Sequence, residues 1–203
     1  MDTQELTRAH EGMCAIASTL SETPEDHADG AKDDPTPVAA HLLPALQALA
    51  GRLGFAVLLH PMPTLPSYPD KPMVLGETEA PLNKETIELE TNGRKIHVQN
   101  MSPASTFRTM CHEVAHAIRA IERTPQDTMM FAMTAAFMGR TPPQEELIAE
   151  STAGLVTAAL GCTDGRYTTT YLRNWGGGSD RMLEKVRSES VALAERILKE
   201  LGE

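Results

Sequence analysis

At 203 residues and 22.0 kDa, the chain can bury one core of ordinary size without a disulfide or metal staple. Hydrophobic residues make up 41% but aromatics only 4%, so that core must rest on Leu, Ile, Val, Ala and 11 Met, a balance that favours helices. A formal net charge of -10 argues against a surface that broadly attracts phosphate backbones, so no direct nucleic-acid binding is expected.

The cysteines, Cys14, Cys111 and Cys162, lie far apart with no CxxC spacing and read as free thiols in a reducing compartment. The opening MDTQELTRAHEGM carries acids where a secretory signal would carry bases, and no apolar run approaches a membrane span. A cytoplasmic protein with no membrane contact is the expectation.

Residues 3–20 place Leu6, Met13, Ile16 and Leu20 at near-helical spacing, and the acidic, Pro- and Gly-containing SETPEDHADGAKDDPTP that follows reads as a flexible linker. Residues 1–37 thus form an N-terminal helix and linker, and residues 38–203 the main domain. An amphipathic helix is expected over residues 38–53, with Pro44 in its first turn and Gly54 as its stop. FAVLLH reads as a strand, while the prolines of PMPTLPSYPDKP predict an irregular surface stretch. ETIELE and KIHVQN are two further strands around the turn signal Asn92-Gly93.

Ser102-Pro103 places a capping residue before a first-turn proline and opens a helix through HEVAHAIRAIER. DTMMFAMTAAFMG reads as another helix or a Met-rich cover, its methionines either core or the lining of a cleft for apolar peptides. Thr141 and Gln144 form a capping-box pattern around Pro142 and Pro143, predicting a helix through EELIAESTAGLVTAALG that ends at Gly161. A last amphipathic helix uses Met182, Val186, Leu193, Ile197 and Leu201.

The chemistry concentrates in His112-Glu113-Val114-Ala115-His116. Advancing about 100° per residue from His112, His116 falls near 40° and Glu113 near 100°, whereas Phe107, Met110, Val114, Ile118 and Ile121 fall between about 160° and 240°. The two histidines therefore project side by side, away from the packing face, and can hold one ion. Cys111, near 260°, points elsewhere and reads as a small core residue.

A catalytic zinc commonly takes three protein ligands. Glu146, Glu150 and Gly154 form an i, i+4, i+8 stripe whose small residues would let this helix approach the histidine helix closely. Glu150 is the expected third ligand and Glu146 an outer acceptor for a histidine N–H, with exchange of those two roles as the main alternative. A solvated acidic face is the other reading of these glutamates. Glu113, too far round the helix to ligate easily, would be the general base. Tyr167 and Tyr171 are candidate oxyanion helpers or packing residues, and His97 reads as structural.

STFRTMCHEVAHAI, EELIAESTAGLVTAALG and the late YLRNW segment together resemble the ImmA/IrrE-type metallopeptidases and, more closely, the C-terminal zincin-like domain of ArdC-type antirestriction proteins. The resemblance covers roughly residues 38–201. It implies an α+β, zincin-like fold, mostly helical with a small sheet beside the HExxH helix, and a gluzincin-like zinc site of His112, His116 and Glu150 with Glu113 as base. The implied activity is cleavage of a protein or peptide substrate. The acidic first 37 residues leave no room for the single-stranded-DNA-binding domain of ArdC proteins, so an antirestriction role does not carry over. The contrasting expectation is a non-catalytic, metal-stabilised protein that sequesters a partner.

Overall fold

The computed structural model describes residues 2–19, 41–61, 64–65, 68–72, 76–83, 89–139, 141–162 and 180–202. Its helices are α1 (Thr3–Thr19), α2 (Leu42–Arg52), α3 (Pro103–Glu122), α4 (Pro125–Met138), α5 (Pro143–Ala159) and α6 (Asp180–Leu201). The strands are β1 (Ala56–His60), β2 (Thr64–Leu65), β3 (Tyr68–Pro72), β4 (Gly76–Glu79) and β5 (Lys95–Gln99). The class is α+β and mostly helical with a small sheet, as the composition requires. Among the described residues no helix is long and apolar enough to cross a membrane.

The main sheet has the order β1-β5-β4. β1 runs parallel to β5, with Leu58 opposite His97, and β4 runs antiparallel on the other side, with Gly76 opposite Val98 and Thr78 opposite Ile96. The period of two in KIHVQ explains why β5 is central. Ile96 and Val98 are fully buried, while Lys95, His97 and Gln99 occupy the other face. On that outer face His97 Nδ1 stands 2.8 Å from His60 Nε2 and His97 Nε2 3.3 Å from Glu79 Oε1, a polar strap across three strands that accords with a structural His97.

Two segments differ from the sequence reading. The stretch expected to be irregular folds as a separate antiparallel pair, β2 with β3, whose prolines are tolerated because a two-stranded ribbon has only edge strands. The strand expected at ETIELE lies mostly outside the described residues, and the edge strand next to β5 is instead GETE, which sequence reasoning did not mark.

Helix α3 starts as expected: Ser102 Oγ accepts the N–H of Ser105 and Pro103 fills the first turn. Its apolar stripe, Phe107, Met110, Val114 and Ile118, is fully buried. Cys111 is buried too, and burial pushes its thiol well above the ordinary range, making it inert. Helix α5 is central: every residue from Leu147 to Thr157 is buried, which its run of small and apolar side chains permits on all sides. Its start corrects the capping-box expectation, since Pro142 takes the N-cap position and no side chain caps it. Helix α1 is no loose appendage; Leu6 and His10 are buried and the helix packs against α6.

Candidate metal centre

Helices α3 and α5 pack against each other and bring three ligand atoms together. The Nε2 atoms of His112 and His116 stand 3.1 Å apart. Glu146 completes the group, one carboxylate oxygen 3.3 Å from His112 Nε2 and the other 3.6 Å from His116 Nε2. Donors held at about 2.0–2.2 Å around a tetrahedral divalent ion lie about 3.3–3.6 Å from one another. One ligand atom from each of the three residues lies within 4.8 Å of the others, and two imidazoles with one carboxylate form a chemically suitable donor set, so this group could hold a metal ion.

The two glutamates of α5 thus sit in the reverse of the expected arrangement. Glu150, expected as the third ligand, is not part of this group; it is buried behind His112 and accepts a hydrogen bond from the Arg108 guanidinium. Its other oxygen lies 3.3 Å from His112 Nδ1. With an ion bound, a proton on Nδ1 directed at Glu150 would leave the Nε2 lone pair to ligate, the tautomer a metal ligand requires; without one, Nε2 can carry a proton toward Glu146. One helical turn decides between the two positions: Glu146 stands level with the convergent Nε2 atoms, and Glu150 behind the first histidine.

The electrostatics follow this geometry. Burial disfavours charge on Glu146, but hydrogen bonds from His112 and His116 and their charge outweigh it and hold its carboxyl far below the usual carboxylate range. Burial likewise works against a charged His116, yet the hydrogen bond and charge of Glu146, with the charges of Glu113 and Glu145, raise its pKa. The cluster is built to surround positive charge.

The start of α5 is clamped to α3 by Arg119, which donates two 2.8 Å hydrogen bonds to Glu145, and by Arg123, which donates one of 2.6 Å. Burial of Glu145 opposes its ionisation, but these two guanidiniums prevail and keep its carboxyl lowered. Because Glu145 precedes Glu146, the clamp fixes where the third donor stands.

Glu113 is 4% exposed and lies beneath the edge strand β4. Thr78 Oγ1 stands 2.8 Å from Glu113 Oε2 and 3.0 Å from the Glu113 carbonyl oxygen, so its single proton can serve either acceptor. A Cβ at Gly76 would meet Glu113 Oε1 at 2.6 Å and Thr109 Cγ2 at 2.8 Å, contacts that side chains essentially never make. Only glycine lets the strand approach this carboxylate.

Of the residues singled out from sequence, His112, His116, Glu113, Glu146 and Glu150 are brought together here; Tyr167 and Tyr171 lie outside the described residues. Sequence reasoning missed Gly76, Thr78 and Arg108. Arg108 could have been found, since it stands four residues before His112 on the same helix; Gly76 and Thr78 carry no local signal. Comparison of the chain with family sequence models, with curated proteins and with solved structures gives no match.

Proposed function

We propose that this protein is a zinc-dependent metallopeptidase of the zincin type, related to the ImmA/IrrE and ArdC domains its motifs resemble, and that it hydrolyses peptide bonds of a protein substrate. The observation that carries this reading is the convergence of His112 Nε2, His116 Nε2 and the Glu146 carboxylate beside a buried, oriented Glu113. His112, His116 and Glu146 would hold the ion, with Glu150 and Arg108 orienting His112 from behind. Bound zinc supplies a Lewis acid that lowers the pKa of water to about 7 and polarises a carbonyl.

The chain's own residues supply the proton handling. Thr78 holds Glu113 through Oε2 and Gly76 gives Oε1 room beneath the strand, so the carboxylate is fixed in place to take the proton from the attacking water. The same carboxyl then returns the proton to the departing amine, which would otherwise leave as a strongly basic anion. One group serves both steps because the two transfers occur in sequence and restore the carboxylate.

Elemental analysis of protein purified without chelators should find one zinc per chain, lost in His112→Ala. Cleavage of casein or a peptide library should be abolished by chelation and by Glu113→Gln, with zinc retained in that variant. Undiminished cleavage by Glu113→Gln would sink the mechanism, and zinc content near zero in the unmodified chain would sink the metal assignment.

A further inference from the structure

Helix α4 turns an apolar face to solvent. Advancing about 100° per residue from Met129, Met133 lies near 40°, Phe137 near 80°, Met130 near 100° and Ala136 near -20°, so these five residues form one stripe about 120° wide. Met130 is 56%, Met133 63% and Phe137 92% exposed. On the other side Thr128 is buried in the first turn, and the Arg123 guanidinium, just before the helix, lies 3.8 Å from the centroid of the Phe131 ring. A helix that is apolar all round ordinarily sits inside a core. Here about a third of the circumference is left outside as one contiguous apolar stripe, the kind of exposed patch that marks an interaction surface.

We propose that this face pairs with the same face of a second copy of the chain, the two α4 helices running antiparallel across a two-fold axis at Met133. The spacing of the stripe is self-complementary about that residue. Met129 and Phe137 lie four residues to either side, so Met129 meets Phe137 of the partner subunit, a thioether against an aromatic ring. Met130 and Ala136 lie three residues to either side, so a long side chain meets the small Ala136 of the partner subunit. Each contact occurs twice, as a closed two-fold interface requires.

The charge pattern agrees. The stretch from Thr128 to Gly139 contains no charged residue, although 23% of the chain is charged. Two copies each carrying a net charge of -10 repel over most of their surfaces, and this face is where they can meet without opposing like charges. A membrane surface fits less well, because α4 itself carries no Lys or Arg on its polar side, where lipid-docking helices concentrate them.

Sedimentation velocity and light scattering on the full chain should give a mass approaching twice 22.0 kDa at micromolar concentration. Association should tighten with added salt as repulsion is screened. Met133→Asp, at an exposed position that does not test folding, should weaken it at least tenfold with an unchanged circular-dichroism spectrum. The register has its own test under mild oxidation, with the unmodified chain as control for Cys14. Met133→Cys should cross-link to its own copy, and Met129→Cys only when mixed with Phe137→Cys. A chain that stays monomeric to about 100 µM overturns the proposal. So does a dimer indifferent to Met133→Asp, or a monomer that binds neutral lipid vesicles or an apolar peptide through Met133.

Discussion

Glu146 and Glu150 are chemically identical and one helical turn apart, yet their surroundings assign them different work. Glu150 is sealed against Arg108, so its charge is matched inside the protein whether or not an ion is bound. Among the described residues, the two histidines are what balances Glu146. Glu146→Gln should therefore act on the metal, lowering zinc affinity roughly 100- to 1,000-fold in a chelator competition while leaving the zinc-free fold nearly as stable. Glu150→Gln removes the charge that faces the Arg108 guanidinium and should cost about 1–3 kcal/mol of stability with or without zinc, with about a 10- to 100-fold loss of affinity through His112. The reverse pattern in chelator titration and denaturant unfolding would return Glu150 to the ligand position. The sequence could bring both glutamates to the histidine helix, because their i, i+4 spacing puts them on one stripe. It could not choose between them, because that choice depends on how far α5 is displaced along α3, and Arg108 and Arg119 fix that displacement from the other helix.

At the scale of elements, the site depends on a strand that carries no recognisable strand pattern. Gly-Glu-Thr-Glu has low intrinsic strand preference, and it becomes a strand because β5 offers a free edge and α3 a surface to lie on. α2, α3, α6 and β5 were legible from periodic apolar faces, and α5 and β1 from apolar runs bounded by turn and start signals; β4 has neither, and its role shows only where it crosses Glu113. Gly76→Ala should displace either β4 or the Glu113 carboxylate and abolish most cleavage with zinc still bound. Thr78→Val removes the hydroxyl that orients Oε2 and should lower kcat about tenfold or more, with KM and zinc content little changed. Full activity in Gly76→Ala would mean that β4 stands farther from Glu113 than the 2.6 Å contact implies.

Across the whole molecule, α1 was legible as a helix, but its place was not, because the acidic stretch after it suggested a detached segment. What ties it down is Leu6 and the buried His10 against α6, with Arg187 donating a 2.6 Å hydrogen bond to Glu11. Burial, and secondarily the charge of Arg187, lower the His10 pKa to about 4 from the ordinary 6.5. The fold thus favours neutral His10. Between these two values the unfolded chain binds more protons than the folded one, so stability rises with pH there. The contribution is fully present above pH 6.5 and is lost progressively as pH falls to about 4. The loss amounts to about 3 kcal/mol, a substantial part of the 5–15 kcal/mol typical of a domain. His10→Gln, which cannot take up this proton, should start less stable at neutral pH through poorer packing and then close the gap as the solution is acidified. Urea denaturation of both chains between pH 7 and pH 4 measures this directly: the difference in stability should shrink by about 3 kcal/mol. A constant difference would mean that α1 opens enough for His10 to meet water before the rest of the protein unfolds.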